Sequence, residues 1–168
     1  MAREHARLLV SIWSDPEFIG LSSAEQITYL RMISHHDLSW CGVLPLLPQR
    51  LASASRDLTV RRVESAMGVL EGLRFIVSDP LTGEVCVRSF IRHDKVIRQP
   101  NVAKAMVRAL GLVHSKPIIE VIKTEAARFY LEEPDAKGWS SVESVAPDLF
   151  ADIIGKAHAN PSRKGSEK

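Results

Sequence analysis

TVRRVESAMGVLEGLRF, residues 59–75, is the stretch on which the reading of the chain turns. Val60, Val63, Met67, Leu70 and Leu73 recur at three- and four-residue intervals, the stripe of an amphipathic helix. Asp57 and Thr59 stand before it as candidate caps, and Gly72 near its end is a stop signal. Arg61, Arg62, Glu64, Ser65 and Gly68 fall off the stripe. Two arginines in a first turn oppose the positive end of the helix dipole, each by roughly a few tenths of a kcal/mol. Sequences break local rules of this kind mostly at functional sites, so a negatively charged object is expected at this end.

Upstream, LSSAEQITYLRMIS carries Ser22 followed by Glu25, a capping box, with Ile27, Leu30 and Ile33 at helical spacing. A helix is predicted from about Ser23 to His36. GVLPL reads as a short edge strand, where Pro45 is tolerated, and Pro48 suits the first turn of a short second helix, PQRLASAS. The opening ARLLVSIW fits a short strand or a helix start, and Asp15-Pro16 is turn chemistry. Downstream, FIVSD and EVCVRSFI are predicted as two strands joined through PLTG.

Helix, short strand, short helix, turn, longer helix and hairpin is the order of a winged helix-turn-helix. The expected fold class is thus mainly α with a small β-hairpin. In that architecture the third helix, residues 60–72, enters the DNA major groove with its N-terminal residues leading. Arginine there serves phosphates or guanine edges. Arg61 and Arg62, with Thr59 and Ser65 beside them, are the candidate contacts of this helix, and Arg50 and Arg56 are placed for phosphates. The competing readings are a solvated helix face and an internal Arg61–Glu64 ion pair.

The 168-residue chain is 45% apolar and 25% charged with a net charge of +2, the composition of a soluble domain with a core. Its charge is uneven. Residues 1–87 carry 8 Lys/Arg against 10 Asp/Glu, residues 88–116 carry 7 against 1, and residues 117–168 carry 7 against 9. The basic middle adds Arg88, Arg92, Lys95 and Arg98 as candidate phosphate contacts at the base of the wing, with a solvated helix face as the alternative. Asp79 and Glu84 make the wing tip acidic, so minor-groove insertion of the tip is not expected. No apolar run is long enough for a membrane span, and MAREHARLLVSIW lacks the features of a signal peptide. Cys41 and Cys86 have no metal or redox spacing and read as reduced residues of a cytoplasmic protein. Neither phosphate-loop nor hydrolase nor zincin motifs are found, and the adjacent His35 and His36 would diverge on a helix. No catalytic residue, metal or cofactor is therefore expected.

NVAKAMVRALGLV and SKPIIEVIKTEAARFYLEE read as two further helices, the second capped by Ser115. The division expected is a winged helix over 1–99, a helical extension over 100–134, and a flexible segment over 135–168 with one short helix, PDLFADIIGKAH. The apolar stripes of 101–133 must pack on the winged helix, on each other or on a second copy, and self-association is the expectation. The segment from Trp139 to His158 is a candidate surface for a replication or transcription partner, with docking against its own domain as the equal alternative.

IWSDPEF, LSSAEQITYLRMIS, CGVLPL, the arginine-bearing third helix and VRSFIRHDKVIRQPN together resemble winged-helix proteins of actinobacterial phages and prophages. More loosely, they resemble the N-terminal module of phage replisome-organiser and DnaD-type replication-initiation proteins. The resemblance covers about residues 5–112 and implies double-stranded DNA binding in replication initiation or gene control within a bacterial host cell. The alternative is a winged-helix protein–protein adaptor without direct DNA readout.

Overall fold

The computed structural model describes residues 5–53 and 55–159. It is mainly helical with one small three-stranded antiparallel sheet. Val10–Ser14 makes a 3-10 turn, after which Asp15 Oδ1 accepts from the Glu17 and Phe18 amides. With Pro16 at its first position, this cap starts the single turn α1 (Pro16–Ile19) and buries Phe18. α2 (Ser23–Ile33) opens on the expected capping box: Ser22 N–H donates to Glu25 Oε2 at 2.7 Å, and Glu25 N–H to Ser22 Oγ at 3.4 Å. It ends three residues before His36. The Ser34 hydroxyl donates back to the Leu30 carbonyl, and the backbone leaves helical geometry there.

β1 (Val43–Pro45), α3 (Pro48–Ser53) and α4 (Val60–Gly72) follow, and α4 packs on both α2 and α3. α4 is the third helix of the sequence reading, renumbered because α1 precedes it. Its buried residues are Val63, Ala66, Met67 and Leu70, while Leu73 lies beyond its end and is exposed. The helix ends at Gly72, and the chain reverses two residues on. Arg74 takes the left-handed conformation (φ 61°), and Phe75 N–H reaches back to the Leu70 carbonyl at 2.8 Å.

β2 (Ile76–Asp79) and β3 (Glu84–Val87) form the hairpin, and β1 adds to its outer side in the order β1-β3-β2. Val43 lies opposite Cys86 and Ile76 opposite Val87. The second strand is shorter than EVCVRSFI suggested, because Phe90–His93 is a helical turn, α5. Phe90 and Ile91 are both buried. Consecutive residues of a strand point to opposite faces, whereas a helical turn at the sheet's end lets both face inward. Gly42 (φ +84°) makes room for this turn, since a Cβ there would lie 2.8 Å from that of Phe90.

After a 3-10 turn at Val96–Arg98 come α6 (Pro100–Leu110), α7 (Lys116–Glu132), α8 (Trp139–Val145) and α9 (Pro147–Ala159). Residues 139–145 and 147–159, expected mostly as a flexible tether, are therefore helical and packed. α8 packs on α6 and α9 on α7, and Trp139, Val142, Ile153 and Ala157 join the same core as Phe18 and Leu70. Trp139 and Val142 are one helical turn apart, a signal too short to stand out from the Ser- and Glu-rich residues around it. The stripes of 101–133 that sequence left for a second copy, including Met106, Leu110, Ile118, Ile122 and Phe129, are buried within the chain itself. The polar tail expected to be disordered, residues 160–168, lies outside the described residues.

Where α8 begins, the backbone passes against the earlier chain: Gly138 N–H donates to the Ile97 carbonyl at 2.9 Å. A Cβ on Gly138 would collide with that carbonyl oxygen and meet the Ala103 methyl at 2.9 Å. Gly138→Ala is expected to lower stability by about 2–3 kcal/mol in urea denaturation, as overpacking of a closed contact does. An unchanged midpoint would mean that α8 is not docked.

Candidate nucleic-acid interface

α4 turns Arg61, Arg62, Glu64, Ser65 and Gly68 outward, opposite the stripe that buries Val63 and Met67. Thr59 is its N-cap, and its hydroxyl accepts the Arg62 amide at 3.3 Å. The Arg62 guanidinium bends back and donates to the Asp57 carbonyl at 3.0 Å, which holds it over the turn before the helix. Arg56 is exposed in that same turn. Arg56, Arg61 and Arg62 make no ion pair among the described residues, so the Arg61–Glu64 pair does not form. Three cationic groups thus stand at the positive end of a helix with no carboxylate in ion-pair contact among the described residues. Arg50 differs: its Nη1 lies 3.0 Å from Asp37 Oδ2, while its side chain stays 58% exposed.

The second set of candidates, from the basic middle of the chain, has another fate. Arg88 Nε donates to the Arg74 carbonyl at 2.6 Å, and its Nη1 lies 3.4 Å from Glu125. Arg92 bridges Glu125 and Glu132, at 3.4 and 2.6 Å. Arg98 meets Glu133 through two parallel bonds of 2.6 Å, the forked geometry that suits guanidinium and carboxylate. Lys95 sits between them in the left-handed conformation (φ 54°), half-buried, with Glu133 among the charges near it. Glu125 and Glu132 are on α7, which packs against α5, and Glu133 is its C-cap. The charge surplus of residues 88–98 is largely neutralised inside the fold.

Sequence reasoning missed these acids. Glu125 and Glu132 are seven residues apart on one face of α7, and Arg88 and Arg92 are four apart, so each spacing was readable. Their pairing was not, because it depends on how α7 lies across the end of the sheet. Glu125 is 2% exposed with three guanidinium neighbours, Arg88, Arg92 and Arg128, the last at 2.6 Å. A buried charge of this kind is stable only when it is fully paired.

The acidic wing tip also reads differently in the structure. Asp79 Oδ1 accepts the Leu81 amide and shapes the turn, whose Gly83 has φ +69°. Glu84 faces away from the tip, and its carboxylate accepts the amides of His114 and Ser115 at 2.7–3.2 Å, just ahead of α7. Both cysteines are free and buried, and burial pushes the Cys41 and Cys86 thiols up, as befits inert core residues. No family model, curated protein or solved structure matches the chain.

Burial raises the Glu84 carboxyl, but the His114 and Ser115 amides outweigh it and leave the group below its usual value of 4.5. A depressed folded-state pKa stabilises the fold above the unfolded value, and this contribution is lost as pH falls through the folded value. Glu84→Gln should therefore melt at a lower temperature than the wild type near pH 6, with the gap closing below about pH 4.5. Parallel melting curves at all pH values would contradict the capping role.

Proposed function

We propose that the chain is a winged helix-turn-helix protein that binds double-stranded DNA, with α4 in the major groove. The observation that carries this reading is the set of arginines without an ion pair, Arg56, Arg61 and Arg62, at the outward N-terminal end of α4, in a chain where Arg88, Arg92 and Arg98 are paired with acids. Element order supports it: α2, β1, α3, α4, β2 and β3, with β1 on the edge of the hairpin, follow the winged-helix sequence of elements. Thr59 and Ser65 flank the arginines, and Arg50 on α3 is available if it exchanges Asp37 for a phosphate. The biological setting that the resemblance implies is replication initiation or gene control in a phage or prophage, in the cytoplasm of the bacterial host.

The geometry narrows the contact surface expected from sequence. Arg88, Arg92 and Arg98 would each have to leave a carboxylate to reach phosphate, so we assign them a smaller share of the contact than the arginines of α4. Three or four phosphates, served by Arg56, Arg61, Arg62 and Arg50, remain. Each neutralised phosphate contributes about −0.9 to the slope of log affinity against log salt, so a slope near −3 is expected.

Arg61→Ala with Arg62→Ala should weaken duplex binding by roughly 2–4 kcal/mol and flatten the salt slope by about 2. Arg98→Ala should leave affinity within about twofold and stability little changed, because the Arg98–Glu133 pair is exposed to solvent. Fluorescence anisotropy with a duplex from binding-site selection, at about 50 to 200 mM salt, reads both. Unchanged affinity in the double variant would overturn the assignment of α4. Absence of duplex binding by the wild type would leave the protein–protein adaptor as the reading to pursue.

A further inference from the structure

His35, His36 and Asp37 follow one another just past the end of α2, in the turn that leads to β1. Divergence of adjacent histidines holds only on a helix, and this stretch is not helical. The two imidazoles stack with centroids 4.5 Å apart and planes 24° from parallel. Both face one carboxylate: His36 Nε2 is 3.2 Å from Asp37 Oδ1, and His35 Nδ1 is 3.9 Å from Oδ2. One ligand atom from each of the three side chains lies within 4.8 Å of the other two.

We infer that these three residues form a binding site for a divalent transition-metal ion of the zinc or nickel class. Two imidazole nitrogens and a carboxylate oxygen are the donor set such ions prefer over magnesium or calcium, which take oxygen. Ligand bonds of about 2.0–2.2 Å around a tetrahedral ion set donors about 3.3 Å apart. The His36–Asp37 pair already has that spacing, and His35 must close by a small side-chain rotation. His35 gives the site its fixed wall, being 15% exposed, with Nδ1 accepting the Asp37 amide at 3.1 Å. That bond would be exchanged for the ion. His36 is 75% exposed and gives the site its open side, where water would complete the coordination.

A competitor is built in. The Arg50 guanidinium occupies Asp37 Oδ2 at 3.0 Å and puts a positive charge beside the place the ion would take. The arginine and the ion share one carboxylate, so removing the arginine should favour the ion.

The test is titration of tag-free, full-length protein with Zn2+ and, separately, Ni2+ by calorimetry, with Co2+ absorption to report nitrogen and oxygen ligation. One ion per chain is expected in the micromolar range. His36→Ala, an exposed change that leaves the core alone, should weaken binding by about tenfold or more. Arg50→Gln should tighten it about threefold, an effect that mere loss of a surface pair would not produce. The inference is overturned if neither ion binds below about 1 mM. It is equally overturned if His36→Ala binds like the wild type, which places the ion elsewhere, or if Arg50→Gln fails to tighten binding.

Discussion

The Glu125 carboxylate, 2% exposed, is held among the guanidinium groups of Arg88, Arg92 and Arg128. Arg88 follows β3, Arg92 is in α5, and Arg128 and Glu125 are one turn apart on α7, so this cluster ties the sheet's end to the long helix. Breaking a buried pair by deleting one partner typically costs about 3–5 kcal/mol, because the remaining charge is left without water or counter-charge. The apolar core shared by α6 to α9 packs beside it. Once α7 lies across α5, α9 covers its other side, and α8 closes over α6 with Trp139 donating to the Glu133 carbonyl.

The same cluster divides the arginines into two populations. Those of residues 88–98 satisfy acids on α7 and at its C-cap and hold the C-terminal helices in place. Those around the start of α4 make no ion pair among the described residues and remain exposed. Net charge along the sequence pointed to the first population as the polyanion-binding surface, and the second is the one left unpaired. A local excess of positive charge is a binding signal only after its internal counter-charges have been counted, and these lay on a helix more than thirty residues away.

Much of the architecture was legible because its signals are local. The Ser22–Glu25 capping box, the proline starts of α3 and α7, the Ser115 cap and the stripe of α4 all act within one or two turns. The misses were tertiary. Phe90 and Ile91 look like strand residues until the sheet ends beneath them, and Gly138 looks like a linker glycine until Ile97 is placed against it. Trp139 and Val142 carry too short a pattern to announce a helix, yet they bury completely once α6 is there. Glu84 looked like a repulsive charge at a wing tip because nothing local shows that the amides of His114 and Ser115 approach it.

The central claim is that the α4 end of the molecule, and not the basic middle of the chain, is the face presented to DNA. Titration of isotope-labelled protein with a mixed-sequence duplex at low salt, followed by backbone and arginine Nε–H resonances, addresses it directly. The account predicts that shifts and broadening concentrate on residues 56–68 and on the arginine side chains of Arg56, Arg61 and Arg62. The resonances of Arg88, Arg92 and Arg98 should keep their positions. Perturbation centred on residues 88–98, with α4 silent, would contradict it.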